Sequence, residues 1–406
     1  MSKADRLHYL VSYSNRIFLN EIDRKEGFDT YETILDVRSR IVPLAIKNRN
    51  HLLSIYLIIF VLLSPLWNIL YLIKSLIDKT KANRIEYKGE RLFLLASVAL
   101  PRVVDNAGIK VRDNEKWLPL PWTKTKSLII QDIITVFNLV KLSDILSAYW
   151  DSILVAFYLL RKKGRIYVLP SSKAYIWFLY NRAIRRIPYN VELLFANQKD
   201  IYAPLLDNLP HNKKSLIQHG TEIVMVNPNN IGEPYYRFIE EGGYWVNNMP
   251  FKYKHLSQVY VFTKKELKAL SKSILNTLPK ITFVGYSLKG FNENLKGDKA
   301  ILIVGYYDLF YERETKLIEL LQNKGIKIYL KNHPVFPDSV YDGLLSLYDF
   351  KLLSGQRFPK VDYVFTYCST LALEYEELGA KIIFYDKMDD ATLQDAVYNV
   401  LTALAD

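Results

Sequence analysis

The chain has 406 residues, and 54 Lys and Arg against 42 Asp and Glu leave a formal net charge of +12. Half of it is hydrophobic, which excludes wholesale disorder, and 16 Gly with 16 Pro exclude a collagen-like or linker-rich chain. One cysteine, Cys368, excludes an internal disulfide framework and a multi-cysteine zinc site, while 30 Tyr with the basic surplus suit an interface that is part apolar and part anionic.

The N-terminus lacks a basic stretch leading into an apolar run, so no signal peptide is expected. Leu52–Ile73 then runs for 22 positions without a charge. That length would cross a bilayer core of roughly 30 Å. Pro65 lies near its centre, and basic residues flank both ends, Arg38, Arg40, Lys47 and Arg49 before and Lys74, Lys79, Lys81 and Arg84 after. Equal basic flanks with a central proline fit a re-entrant or in-plane element with both ends cytoplasmic; a helix or hairpin buried in the protein is the competing reading. A second surface is the run Arg161, Lys162, Lys163 and Arg165, followed by Lys173–Arg186, where Tyr175, Trp177, Phe178 and Tyr180 mix with Arg182, Arg185 and Arg186. Such a mixture suits headgroup depth, or a helix that packs its rings inward.

From about residue 90, short apolar runs alternate with helical patterns. Strands are expected at Leu92–Val98, Ile166–Leu169, Glu192–Ala196, Ser215–Gln218, Val259–Phe262 and Ile281–Val284. After the polar stretch Ser287–Lys299, further strands are expected at Ala300–Val304, Lys327–Leu330, Tyr363–Thr366 and Lys381–Tyr385, with helices at Tyr311–Lys324 and Ser369–Leu378. This alternation marks parallel sheets covered by helices. The expected fold class is α/β, with two Rossmann-like domains facing across a cleft and an N-terminal apolar helical segment. The expected boundaries are 1–85, 86–286 and 287–406. Ligands then sit at the carboxyl ends of strands.

Three motifs fall at such ends. His219, in Gln218-His219-Gly220-Thr221, can take a proton from an attacking hydroxyl, or simply cap the turn. Lys331 and His333, in Lys331-Asn332-His333-Pro334, can face a phosphate and neutralise a leaving group. Ser369 and Thr370 open a helix, where they cap backbone N–H groups or present them to an anion. Glu374, one turn on, can accept ribose hydroxyls, with Glu376 and Glu377 as alternatives. Gly305, closing the strand Ala300–Val304, would allow a donor or phosphate close approach. Glu240 and Glu241 precede Gly242 and Gly243 and could supply a carboxylate base, or mark an acidic helix end. No GxxxxGK[ST] loop, no GxGxxG after a strand and no metal-ligand spacing is present.

The order HGT, KxHP, then a Ser/Thr pair opening a helix resembles bacterial GT-B glycosyltransferases of surface polysaccharide assembly. Gln218–Thr221, Lys331–Pro334 and Asp362–Thr370 resemble the HGT, HP and DYSS-like segments of CDP-glycerol glycerophosphotransferases. Glu240–Gly242, His333–Pro334 and Ser369–Thr370 resemble the motifs of bacterial sialyl-, polysialyl- and Kdo transferases. The resemblance spans roughly residues 190–390. It implies metal-independent transfer from a cytidine-nucleotide donor, with no further cofactor. His333 would assist departure of the nucleotide, Ser369 and Thr370 would hold its phosphate, and the base would be His219 in the first branch or Glu240 or Glu241 in the second. The expected partners are a nucleotide-activated sugar, a lipid-linked or polymeric glycan acceptor and an anionic membrane surface, on the cytoplasmic face of the cell membrane. Nucleic acid is not expected, since no recognised nucleic-acid motif appears. A polyol-phosphate transferase, and a scaffold or nucleic-acid-binding protein on a degenerate fold, are the rival readings.

Overall fold

The computed structural model describes residues 3–25, 62–96, 100–121, 123, 132–162, 174–224, 236–240, 243–285, 299–333, 336–353, 358–367, 369–386 and 388–405. The chain divides into two compact units, Met1–Val284 and Gly285–Asp406. The expected strand Ile166–Leu169, the run Lys163 to Arg165 and the apolar stretch 52–61 lie outside the described residues.

In the first unit, β1 (Arg91–Leu95), β2 (Lys116–Pro119), β3 (Glu192–Phe195), β4 (Lys214–Ile217), β8 (Gln258–Val261) and β9 (Lys280–Phe283) form one sheet, ordered β2-β1-β3-β4-β8-β9. Every pairing in it is parallel. The central strands β1 and β3 carry near-continuous apolar runs, as a sheet covered on both faces requires. Leu92, Leu94, Leu193 and Phe195 enter one core, and Phe93, Leu95, Leu194 and Ala196 enter another, as the two-residue period of a strand dictates. The order reverses between β1 and β3, and sheets of this kind bind ligands outside the carboxyl ends near such a point. A small antiparallel sheet follows β4, with β5 (Ile223–Val224), β6 (Tyr236–Ile239) and β7 (Tyr244–Asn247) ordered β5-β7-β6. Gly243 turns the β6–β7 hairpin with φ of +64°, a conformation that side chains other than glycine rarely adopt.

The first-unit helices are α1 (Lys3–Lys25), α2 (Ser64–Lys81), α3 (Leu100–Asn106), α4 (Val136–Leu139), α5 (Leu142–Lys162), α6 (Ala174–Arg185), α7 (Ala203–Asp207) and α8 (Lys264–Ser273). Pro65 is not central to a helix. It stands in the first turn of α2, where its missing N–H costs nothing. Among the described residues no helix is long and apolar enough to cross a membrane.

Of the two readings of the second basic-aromatic segment, α6 fits the helix that packs its rings inward. Tyr175, Trp177, Phe178 and Tyr180 are all buried. Arg182 pairs with Asp151, Arg186 binds Asp144 through Nε at 3.1 Å and Nη2 at 2.9 Å, and Arg185 donates to Asn181 Oδ1 at 2.9 Å. The helix turns its rings to the core, and neighbouring helices supply acids to its arginines.

In the second unit, β10 (Ala300–Val304), β11 (Lys327–Lys331), β12 (Lys351–Leu353), β13 (Tyr363–Thr366) and β14 (Lys381–Phe384) form a parallel sheet ordered β12-β11-β10-β13-β14. Counted from β10, this is the 3-2-1-4-5 order of a doubly wound fold, with its reversal between β10 and β13. Ile301, Ile303 and Leu330 line one core and Leu302, Val304 and Tyr329 the other. The helices are α9 (Tyr307–Leu321), α10 (Asp342–Leu345), α11 (Thr370–Glu377) and α12 (Asp390–Ala405).

Candidate functional site

In the first unit, β4 ends one residue before Gln218, so the Gln218–Thr221 turn leaves the sheet at a carboxyl end. A buried polar network holds it there. Gln218 Nε2 donates to Glu266 Oε2 at 2.7 Å and its Oε1 accepts from the Phe262 amide at 3.1 Å. Thr221 Oγ1 donates to Glu266 Oε1 at 2.5 Å, and the Glu222 amide reaches the same carboxylate at 3.2 Å. Glu266 is itself fixed, because Thr263 caps α8 by accepting from its amide. Gln198, in the loop after β3, donates to the Gly220 carbonyl at 3.3 Å and to Glu222 Oε1 at 2.9 Å, and accepts from the His219 amide at 3.4 Å. Lys199 lies 2.9 Å from Glu222 Oε2 and donates to Asn247 Oδ1 at 2.6 Å. Burial raises the Glu222 carboxyl, and the Lys199 charge opposes it.

His219 is half-buried, and its Nδ1 is buried and meets no hydrogen-bond partner among the described residues. Loss of water pushes the imidazole down to about 4, the Lys199 charge adds to the fall, and a backbone hydrogen bond at Ala196 opposes it. At neutral pH the ring is therefore uncharged and can accept a proton. Glu240 stands elsewhere. It is exposed on the β6–β7 turn, while the Lys199 amine meets the other end of β7 at Asn247, roughly 10 Å away along the strand. Glu241 and Gly242 lie outside the described residues.

In the second unit, the loops after β10, β11 and β13 bring aromatic rings together at the carboxyl edge. Tyr306 lies against His333, with ring centroids 4.8 Å apart, and edge-on to Phe336 at 5.2 Å and Tyr367 at 5.5 Å. His333 is half-buried, and burial lowers its pKa. Ser369 is the N-cap residue of α11, yet its side chain makes no capping bond; its hydroxyl lies 3.1 Å from Thr366 Oγ1 instead. Among the described residues no side chain caps the first amides of α11, which leaves them open to an anion. Thr370 opens that helix; its side chain and Cys368 lie outside the described residues. Of the three glutamates of α11, Glu374 is buried, while Glu376 and Glu377 are exposed.

Two expected phosphate-site residues have other occupations. Lys331 Nζ donates to the Leu353 carbonyl at 3.1 Å and sits 5.5 Å over the Phe358 ring. Gly305 is a glycine because of packing within the unit. A Cβ there would meet Tyr341 Oη at 2.7 Å and the Glu314 carboxyl at 3.2 Å. Glu314 is fully buried and raised by that burial, while hydrogen bonds from Tyr341 Oη, the Tyr306 amide and Tyr385 Oη work against the rise. It anchors the Gly305–Tyr306 turn. Sequence reasoning missed Glu314 and Tyr306, and in the first unit Gln198, Lys199, Glu222 and Glu266. The polar run Asn197–Asp200 directly after an apolar strand was the available signal for the first-unit group. Among the described residues no three or more His, Cys, Asp or Glu side chains group to hold a metal ion.

No protein-family model matches the chain, and no curated protein matches it in sequence. Several solved structures resemble it at low identity. The calicheamicin glycosyltransferase CalG4 is 11% identical with a TM-score of 0.40, covering 77% of this chain and 90% of its own. Anabaena HepE in complex with UDP and glucose is 10% identical with a TM-score of 0.41, covering 78% and 89%. The wall teichoic acid polymerase TagF is 8% identical with a TM-score of 0.37, covering 84% and 91%. At these values the likenesses do not decide the activity, which has to be argued from the strand-end residues.

Proposed function

We propose that the protein is a GT-B-type glycosyltransferase that transfers a sugar from a cytidine-nucleotide donor, without a metal, to a lipid-linked or polymeric glycan of a bacterial capsule or lipopolysaccharide. The observation that carries the reading is the second unit's strand-end group. His333, the uncapped N-terminus of α11 at Ser369 and the buried Glu374 share a doubly wound sheet at or beside its reversal point. In the transfer, the acceptor hydroxyl oxygen bonds to the donor sugar carbon as the bond from that carbon to the phosphate oxygen breaks. The electron pair leaves on the phosphate, where the His333 ring N–H and the α11 amides offset the charge. In the first unit, the neutral imidazole of His219 is one candidate to take up the hydroxyl proton, and the carboxylate of Glu240 or Glu241 is the other. The proposal includes a membrane-held acceptor and a place on the cytoplasmic face of the cell membrane.

A second reading, transfer of a polyol phosphate from a CDP-glycerol-type donor, is favoured by one contrast. His219 is built into a strand-end network, whereas Glu240, the base of the sialyltransferase-like branch, stands on an exposed turn. A thermal-shift panel with CMP, CDP, UDP and GDP, followed by turnover of CMP-sugars against CDP-glycerol, separates the readings. Stabilisation by CMP or CDP supports a cytidine donor. Stabilisation by UDP or GDP alone overturns it, and no stabilisation by any nucleotide overturns the transferase reading.

A further inference from the structure

The first unit carries two helices with the wrong outer face for a water-facing surface. α2 and α5 pack together, and Tyr149 of α5 donates to the Pro65 carbonyl of α2 at 3.4 Å. Their inner faces are ordinary. Asn68 and Ser75 of α2 and Ile145, Ala148 and Val155 of α5 are buried. A surface helix normally carries charge on the opposite side.

These helices do not. On α2, Leu66, Leu70, Ile73 and Ile77 recur at helical spacing and are 60%, 62%, 48% and 49% exposed. On α5, Leu146, Trp150, Leu154 and Phe157 do the same at 43%, 62%, 50% and 45%. The other exposed positions of α5 between Leu142 and Phe157 are Ser143 and Ser147, so that face carries no charge. The exposed charges of α2 are Lys74 and Lys81, both basic. Single exposed leucines need no explanation, but two packed helices each with an apolar stripe do.

We infer that the exposed stripes of α2 and α5 rest on a lipid bilayer, with the helices lying in its plane. Three observations select lipid as the occupant. The fully exposed charges on α2, Lys74 and Lys81, are cationic and its one acid, Asp78, is half-buried, which matches anionic headgroups, and the whole chain carries +12. Trp150 and Tyr71 are exposed within the stripes, and such half-wet rings favour the headgroup boundary. The apolar sequence from Leu52 leads directly into α2. Because the inner faces of both helices are committed to the unit's own core, they can lie on a membrane but cannot traverse it. The inference rests on the proposed function only for the idea of a membrane-held acceptor. Vesicle binding is measured without donor or acceptor, so the two can fail separately.

The test is flotation of the full chain with phosphatidylcholine–phosphatidylglycerol vesicles, comparing wild type with the triple variant Leu70→Gln/Trp150→Gln/Leu154→Gln. Each polar replacement of a side chain that enters the apolar layer is expected to lower partitioning about tenfold. The variant should therefore stay with the soluble fraction while its thermal unfolding matches wild type. Brominated lipid should quench part of the tryptophan emission of wild type, and Trp150→Phe should lose that part; this single change decides the matter if the triple variant fails to fold. The inference is overturned if wild type ignores vesicles, if the folded triple variant floats equally well, or if Trp150→Phe leaves the quenching unchanged. A dimer in solution that the same three substitutions dissociate, without vesicle binding, would assign the face to a second copy of the chain and overturn it equally.

Discussion

Gly305→Ala probes the packing at the reversal point of the second sheet. The residue is not in the left-handed backbone region, so the substitution introduces no conformational penalty of that kind. The cost is steric. A new methyl group would lie 2.7 Å from Tyr341 Oη and 3.2 Å from the Glu314 carboxyl, both in the core. Overpacking of this kind costs about 1–3 kcal/mol. Tyr341→Phe removes the obstructing oxygen and with it a 2.5 Å hydrogen bond to Glu314 Oε2, at an expense of about 1–3 kcal/mol. Glu314 keeps the Tyr306 amide and Tyr385 Oη. The double variant should therefore lose most of the Gly305→Ala cost, keeping only that of the 3.2 Å approach to Glu314, a coupling of at least about 1 kcal/mol. Urea unfolding followed by circular dichroism measures it. All six tryptophans precede Val284, so tryptophan emission reports on the first unit and its transition should not move. Additive costs, within about 0.5 kcal/mol, would refute the packing explanation of this glycine. If Gly305 instead admits a donor, the double variant would recover stability but lose the thermal shift given by nucleotide.

His333→Ala should leave the circular dichroism spectrum intact and lower turnover by about a hundred- to a thousandfold, the usual effect of losing a donor to a departing anion; a fully active variant removes His333 from the chemistry. His219→Ala should slow transfer while the nucleotide-induced thermal shift stays at the wild-type value, and loss of that shift would count against a role as base. The form of His219 that accepts a proton persists until the pH approaches about 4, so the base-dependent part of the rate should survive the fall through 6.5 and disappear only toward 4. His211 is also buried and pushed down to about 4, by burial first and then by the Lys214 charge. Here the unfolded chain takes the proton first, so the stability contribution is complete above 6.5, falls as the pH drops through 6.5 toward 4, and is worth up to about 3 kcal/mol. Comparing urea midpoints of wild type and His211→Asn across that window should show the shallower acid slope in the variant.

By itself the sequence determined most strands of the two parallel sheets and where their carboxyl ends fall. Ala300–Val304 and Tyr363–Thr366 are strands over the same residues that their apolar runs mark, because a strand buried on both faces must be apolar at every position. That alone put His219, His333 and Ser369 at carboxyl ends. The strands β2, β5, β6, β7 and β12 escaped notice, because runs of two to four residues that mix polar with apolar side chains carry no usable period. What only the tertiary structure decided was direction. α2, α5 and α6 are all rich in apolar residues, and the pattern of each is silent on which face meets the core. Packing turned the rings of α6 inward and left Tyr71 of α2 and Trp150 and Phe157 of α5 outward. The same holds for partners distant in sequence. Glu314 meets Tyr385 across 71 residues, and Lys331 finds the Leu353 carbonyl across 22. A lysine beside a histidine in sequence says nothing about a carbonyl on the neighbouring strand, and it is that carbonyl, through geometry set by the folded sheet, that holds its charge.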